Sequence, residues 1–329
     1  MAHSPARGRP WLASARDAPV TTTETRVERA PASNAVGVVA VLSAAAIWSV
    51  GGVLGKSAHA EGIVLSFWRL WIASAVMVLI VARTHRWPTR ADLRASFVAG
   101  VLFGLNLCVF FITLEHTTIA VALIIGALSP VVALPIATMF MGEQLKAVKV
   151  VCALLAVAGV VAAVATAPPD ENGHTTQMVG YLWAVAALMV WVLYLLQTKR
   201  VRSRVDTVPY MACVTWVGAV TASVLVVATR SQLDQIHGRG WLWVTLLAIG
   251  PGLAGHGLVA WAQPRVDASV TSVLIQLEPV GASVAAWVVL GESMSFLQGL
   301  AMALVVAALC TLAYSESREG TVALDEGLG

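Results

Sequence analysis

The chain has 329 residues, 58% of them hydrophobic and only 12% charged, with a mean hydropathy of +0.79. A soluble domain carries about a quarter charged residues, so a water-soluble enzyme or a nucleic-acid-binding module is excluded at the outset. The formal net charge is only +3, and the placement of the cations says more than their sum.

Residues 1–34 hold five arginines and four prolines and no apolar stretch. They read as a disordered tail and not as a secretory signal, because the apolar run that follows is long and leads into others. Ten runs are then long enough to cross about 30 Å of hydrocarbon: Ala35–Gly55, Gly62–Ala82, Ser96–Thr113, Thr118–Met141, Val148–Ala167, Val179–Thr198, Val208–Thr229, Trp241–Gln263, Ala268–Leu290 and Met294–Tyr314. A backbone in lipid must satisfy its own hydrogen bonds, so these runs are expected to be helices. The two-residue alternation of a membrane barrel is absent.

Lysine and arginine set the orientation. Seventeen of the 21 fall in the first tail, the even-numbered turns and the last tail, and only Lys56, Arg230 and Arg239 fall on the other side. Both tails, 1–34 and 315–329, are therefore expected in the cytoplasm. The one long outer linker, 168–178, divides the chain into halves of five helices, 35–167 and 179–314. Five is odd, so the second half must cross the membrane inverted. The halves also resemble each other. Ala120–Glu143 and Ser269–Glu292, aligned at a constant offset of 149 residues, match at eight of 24 positions, including Pro130 with Pro279 and Gly142-Glu143 with Gly291-Glu292. Apolar bias alone would give roughly three matches. Inverted repeats are the architecture of many secondary transporters, with a site near the midplane. The fold expected is thus all-α, ten transmembrane helices as two inverted five-helix repeats.

Glu278 falls near mid-membrane, where a carboxylate costs several kcal/mol (about 3) unless neutralised, paired or hydrated. Pro279 removes the backbone donor that would reach the Ile275 carbonyl. An acid beside a freed carbonyl can bind a proton, a cation or an amine; the plainer alternative is a protonated side chain at a kink. The twin position is Ser129-Pro130, so any role of charge is one-sided. Arg69, in FWRLW, could neutralise a carboxylate or extend outward among lipid phosphates, as Trp68 and Trp71 would suit. His256, in the glycine-dense IGPGLAGHGL, is either a packing residue or a proton relay. Trp48 and Trp191 are set alike ahead of Lys56 and Lys199 and suit the wall of a solute cavity or a packed core. Asn106, Gln276, Ser129 and Tyr194 complete the polar groups at depth. Gly-x-x-x-Gly at 51–55 and 100–104 would allow close helix approach, and the two Gly-Glu pairs read as helix ends.

A nucleotide-binding Gly-rich loop is absent, as are H-E-x-x-H, C-x-x-C and G-x-S-x-G. The four cysteines lie in four separate helices and carry neither a disulfide nor a metal signal. No cofactor, metal or nucleic acid is expected, and nothing specifies an oligomeric state.

The motifs AAIWSVGGVLGK, SFWRLWIASA, ALSPVVALPIATMFMGEQL, LIQLEPVGASVAAWVVLGES and GHGLVAWA together resemble the EamA-like family of the drug/metabolite transporter superfamily, over about residues 35–314. Departures are Ala260, where many relatives carry Asn, and Pro264 and Asp267 in the next turn. The resemblance implies a membrane carrier, not an enzyme: a secondary transporter of small metabolites, commonly an exporter of amino acids or drugs, working by alternating access. The cavity would lie near Trp48, Trp191, Gln276 and Glu278, with Glu278 coupling transport to protons. Uptake or facilitated permeation is the rival within transport. An enzyme of lipid-linked substrates is the rival outside it, resting only on the Glu115-His116 turn.

Overall fold

The computed structural model describes residues 31–117, 122, 125–166, 178–285, 287–288 and 295–325. Most of the first tail, the linker to residue 177, and the Gly291-Glu292 pair lie outside the described residues. All regular structure among those described is helical. Eight helical segments are long and apolar enough to cross a membrane: 35–55, 62–84, 90–116, 178–202, 207–229, 240–262, 268–285 and 296–315. Two shorter apolar helices, Ser129–Met141 and Ala147–Ala163, supply the fourth and fifth crossings. The ten-helix membrane fold expected from the sequence is the fold found.

Several boundaries differ from expectation for local reasons. The third helix starts at Arg90, not Ser96, because Thr89 and Asp92 form a reciprocal capping box; these bonds occupy amides that would otherwise be left without partners. The first helix already begins at Pro31. The last continues to Asp325, so most of the expected C-terminal tail is helix. The first, fourth, eighth and ninth crossings are not continuous α-helices, as described below.

Contacts between loops sort them into two faces. On one, Arg86 pairs with Asp206 at 3.7 Å, Lys149 with Asp267 at 2.6 Å, and Lys199 with Asp267 at 3.9 Å. Glu143 accepts from the backbone amides of Ala268 and Ser269 there, and Gly37 abuts Arg265 and Val266. On the other, Glu61 N–H donates to Gln235 Oε1, Trp68 Nε1 to the Leu233 carbonyl, Gly62 N–H to Glu115, and Ser295 Oγ to the Thr166 carbonyl. The first set joins the start of helix one to the turns after helices two, four, six and eight. The second joins the turns after the odd-numbered helices. Ten crossings require that division. The first set is called here the basic face, after its lysines and arginines.

Helix neighbours repeat between the halves. Helix three packs on helices six and seven, as helix eight packs on helices one and two; two pairs with seven, four with nine and five with ten. Exchanging each helix with the one five later preserves these neighbours. Since lipid is as apolar as leucine, association depends on close fit of small residues. A Cβ on Gly104 would lie 2.7 Å from the Gly218 carbonyl oxygen, so helices three and seven touch backbone to backbone. Cys108, Cys152 and Cys213 are buried, whereas Cys310 is exposed on helix ten.

Candidate functional site

The repeated prolines break their helices at twin positions. Helix nine is interrupted by a turn at Ile275–Gln276, between Ala268–Leu274 and Leu277–Ala285. Helix four has its turn at Ala127–Leu128, before Ser129–Met141. The amide lost at Pro279 does not free the Ile275 carbonyl as expected, since the Glu278 N–H reaches it at 2.9 Å in a tighter turn. The carbonyl left at the other break is put to use: Gln276 Nε2 donates to the Ala127 carbonyl at 3.1 Å and to Ser129 Oγ at 3.3 Å. Ala127 and Gln276 are 149 residues apart, the offset of the sequence repeat. The broken helices therefore cross at the point where equivalent residues meet, and Gln276 pins them together.

Helix eight is distorted by Pro251. Residues Ala248–Gly255 form a π-helical stretch, which widens the turn and releases backbone groups. Trp48 Nε1 donates to the Pro251 carbonyl at 2.9 Å. Helix one is itself interrupted just after Trp48, between Pro31–Trp48 and Gly51–Ser57. The indole lies so near Gly255 that a Cβ there would fall 2.2 Å from Nε1. His256 is surrounded by rings, with centroids of Trp48 and Phe103 each at 4.7 Å and Trp191 at 6.2 Å. Trp48 and Trp191 meet edge to face at 5.6 Å. His256 Nδ1 is buried without a hydrogen-bond partner among the described residues.

These features bound a cavity with ≈ 180 Å³ of water-reachable volume. At about 30 Å³ per water it could take roughly half a dozen waters, or a small organic solute. Its lining includes Trp48, Arg69, Asn106, Ser129, Trp191, His256, Gln276 and Glu278, with Pro279 at the break. It also reaches Gly51, Thr113, Ala122, Ala184 and Leu247, in the halves of their helices farther from the basic face. Toward the basic face the space is filled: Val41, Ala44, Leu195, Val259, Val270 and Leu274 are no more than 2% exposed and form one cluster.

The two ionisable groups of opposite sign at this depth face one cavity. Arg69 is 5% exposed, which overturns the alternative of a guanidinium reaching out to lipid; its Nε has no hydrogen-bond partner. Glu278 lies within electrostatic reach of it, yet no ion pair joins them among the described residues. The two side chains thus line one cavity without bonding each other. Tyr194 is the expected pathway residue that does not line the cavity: it stands behind the wall, stacked on Phe103 at 5.3 Å and 5.9 Å from His256. Pro130 is buried at the head of the Ser129–Met141 helix. Glu115, half of the turn an enzyme reading needs, accepts from the Gly62 amide and so fastens the start of helix two.

Sequence reasoning missed Pro251 as a source of a carbonyl for Trp48, although a Gly-Pro-Gly inside an apolar run was the available signal. It also missed what Glu143 does. This carboxylate closes the start of helix nine, accepting from Ala268 N–H at 2.7 Å, Ser269 N–H at 3.1 Å and Ser269 Oγ at 2.6 Å.

Comparison with known proteins agrees with this architecture. The EamA-like transporter family matches twice, over residues 35–165 and 178–314. An uncharacterized inner membrane transporter of Escherichia coli K12, YhbE, is 26% identical over 262 residues, covering 74% of this chain and 78% of its own. An uncharacterized transporter of Haemophilus influenzae is 27% identical over 128 residues, covering 39% and 75%. A crystal structure at 24% identity superposes with a TM-score of 0.69 over 85% of this chain and 97% of its own; it shares the fold. With both halves matched, the chain belongs to the EamA-like transporter family and is a multi-pass membrane transporter.

Proposed function

We propose that this chain is a secondary transporter of the cytoplasmic membrane that exports small zwitterionic metabolites, amino acids and their relatives foremost, by alternating access. Two inverted repeats, 35–167 and 179–314, would rock about the cavity between them, joined by the linker 168–178, with both termini in the cytoplasm. The observation that carries the reading is the pair Arg69 and Glu278, opposite charges lining one cavity without bonding each other. A buried charge is costly unless neutralised, and a solute bearing a carboxylate and an ammonium group would neutralise both at once. Trp48, Trp191 and His256 offer ring faces and edges to the apolar part of such a solute. Asn106 and Ser129 add hydrogen-bonding groups at the lining.

The test is exchange of labelled α-amino acids in proteoliposomes. Zwitterions should exchange, while derivatives blocked at the amine or at the carboxyl should not. Equal exchange of the blocked derivatives would overturn the reading. Proton coupling through Glu278 is part of the proposal, supported by its depth and by a carboxyl group that forms no hydrogen bond among the described residues. Gradient-driven accumulation should be lost in Glu278→Gln, and full retention would rule that coupling out while leaving exchange intact. Direction follows from the gradients imposed, so export is separated from uptake by comparing metabolite levels in cells lacking and overproducing the protein.

A further inference from the structure

The basic face is fastened by charges drawn from both halves. Glu143 and Lys149 belong to the first repeat; Lys199, Asp267 and Ser269 belong to the second. Lys149 Nζ lies 2.6 Å from Asp267 Oδ2, its side chain 4% exposed and that of Asp267 32%. Lys199 approaches the other carboxylate oxygen at 3.9 Å. One residue on, Glu143 holds the first amides of helix nine. These bonds sit directly outside the plug of Val41, Val259 and Val270 that separates the cavity from this face.

On the opposite face Glu143 and Lys199 have charged counterparts in the repeat, Glu292 and Lys56, but the Lys149–Asp267 pair has none. At the repeat offset of 149 residues, Lys149 corresponds to Gln298, and Asp267 to Thr118. Gln298 is buried and neutral, and its Oε1 has no hydrogen-bond partner among the described residues. Thr118 lies outside the described residues, but its sequence identity alone removes the carboxylate. A neutral amide cannot replace a buried ammonium–carboxylate pair, whose disruption leaves an uncompensated charge. The central ion pair of the basic face therefore has no equivalent at the matching positions of the other half.

We infer that Lys149, Lys199, Asp267 and Glu143 form an ionic latch that shuts the basic face at rest, and that the opposite face, where Gln298 and Thr118 stand in the places of Lys149 and Asp267, opens without breaking an ion pair at those positions. The inference rests on the alternating-access reading, which requires both faces to open in turn. It accounts for a cavity that reaches toward the opposite face while the basic side is plugged. In each cycle the latch must part, taking Glu143 off the start of helix nine and Asp267 away from Lys149. The resting distribution is then set by the difference between the two closures.

The test reads access and not transport, so it stands whether or not the proposed solutes are carried. Two reporter cysteines are introduced singly in a chain lacking its four native ones. Gly126→Cys lines the cavity, where an added Cβ meets nothing within 4 Å, and Val270→Cys lies in the plug. Labelling by a membrane-impermeant maleimide is measured on vesicles of either orientation. In the unaltered latch, Gly126→Cys should react from the opposite face and Val270→Cys should be protected. Asp267→Asn, or Lys149→Gln, which copies the counterpart residue, should raise labelling of Val270→Cys from the basic face about tenfold or more. Labelling of Gly126→Cys from the opposite face should fall in step, and Asp267→Glu should restore the original pattern. Should one variant fail to fold, the other decides. Unchanged labelling at both reporters in a folded Asp267→Asn or Lys149→Gln protein would overturn the inference.

Discussion

Two glycines in helix eight, two residues apart, should respond oppositely to the same substitution. A Cβ on Gly255 would lie 2.2 Å from Trp48 Nε1 and 2.7 Å from its Cδ1. The indole would have to move by an ångström or more, beyond the reach of its bond to the Pro251 carbonyl. Overpacking of this kind costs about 1–3 kcal/mol, and the lost bond adds about 0.5–1.5 kcal/mol. Alanine returns about 0.5–1 kcal/mol of helix preference over glycine, leaving Gly255→Ala roughly 0.5–4 kcal/mol less stable on these same values. At Gly257 an added Cβ meets nothing within 4 Å, so Gly257→Ala should keep only the helix gain. Thermal unfolding of the purified protein in one detergent should show a Tm lowered by several degrees for Gly255→Ala, and unchanged or slightly raised for Gly257→Ala. In a Trp48→Ala background the penalty at Gly255 should vanish, since the two residues act on one contact. Equal Tm shifts for the two substitutions, or a penalty that persists without the indole, would refute the argument.

Gln276→Ala should destabilise the protein by about 1–3 kcal/mol, because it leaves the buried Ala127 carbonyl without its donor; unfolding in denaturant with an unchanged m-value would register this. Arg69→Lys should retain a positive charge yet lose the planar donor set that suits a carboxylate. Half-saturation of amino-acid exchange should then rise several-fold while the Tm barely moves. Glu143→Ala removes the acceptor for two backbone amides and a hydroxyl at the start of helix nine, and should cost about 1–2 kcal/mol. Hydrogen exchange should quicken at Ala268 and Ser269 before anywhere else in that helix.

Much of the frame was legible because lipid leaves the backbone few options. Apolar runs had to be helices, their number followed from composition, and lysine and arginine divided the turns as the contacts do. The breaks at Ala127 and Ile275 were announced by Pro130 and Pro279 at matching positions. What the prolines would do was misjudged, however. A proline removes a donor, but the chain answers by tightening a turn, and the carbonyl expected to be free at Ile275 is bonded by the very next amide available. The partner of Ala127 came instead from a glutamine side chain 149 residues away. Arg69 illustrates another limit. Its tryptophan neighbours argue equally for a lipid-facing belt and for a cavity wall, and only the rotation of helix two about its axis separates them. The basic-face cluster escaped notice because its members are scattered over more than a hundred residues and each looks like ordinary turn chemistry.

The bond from Gln276 to Ala127 has a consequence for how such a protein could diverge. In a complex of two identical subunits, a residue on the dyad faces its own image, so any polar side chain there confronts a second copy of itself. A single continuous polypeptide escapes that constraint: one copy keeps a long amide, the other shrinks to a methyl group, and the fit becomes donor to acceptor. Two positions further on, the same freedom leaves an acid on one side and a hydroxyl on the other, so the proposed solute, with its unlike ends, would have only one way round to sit.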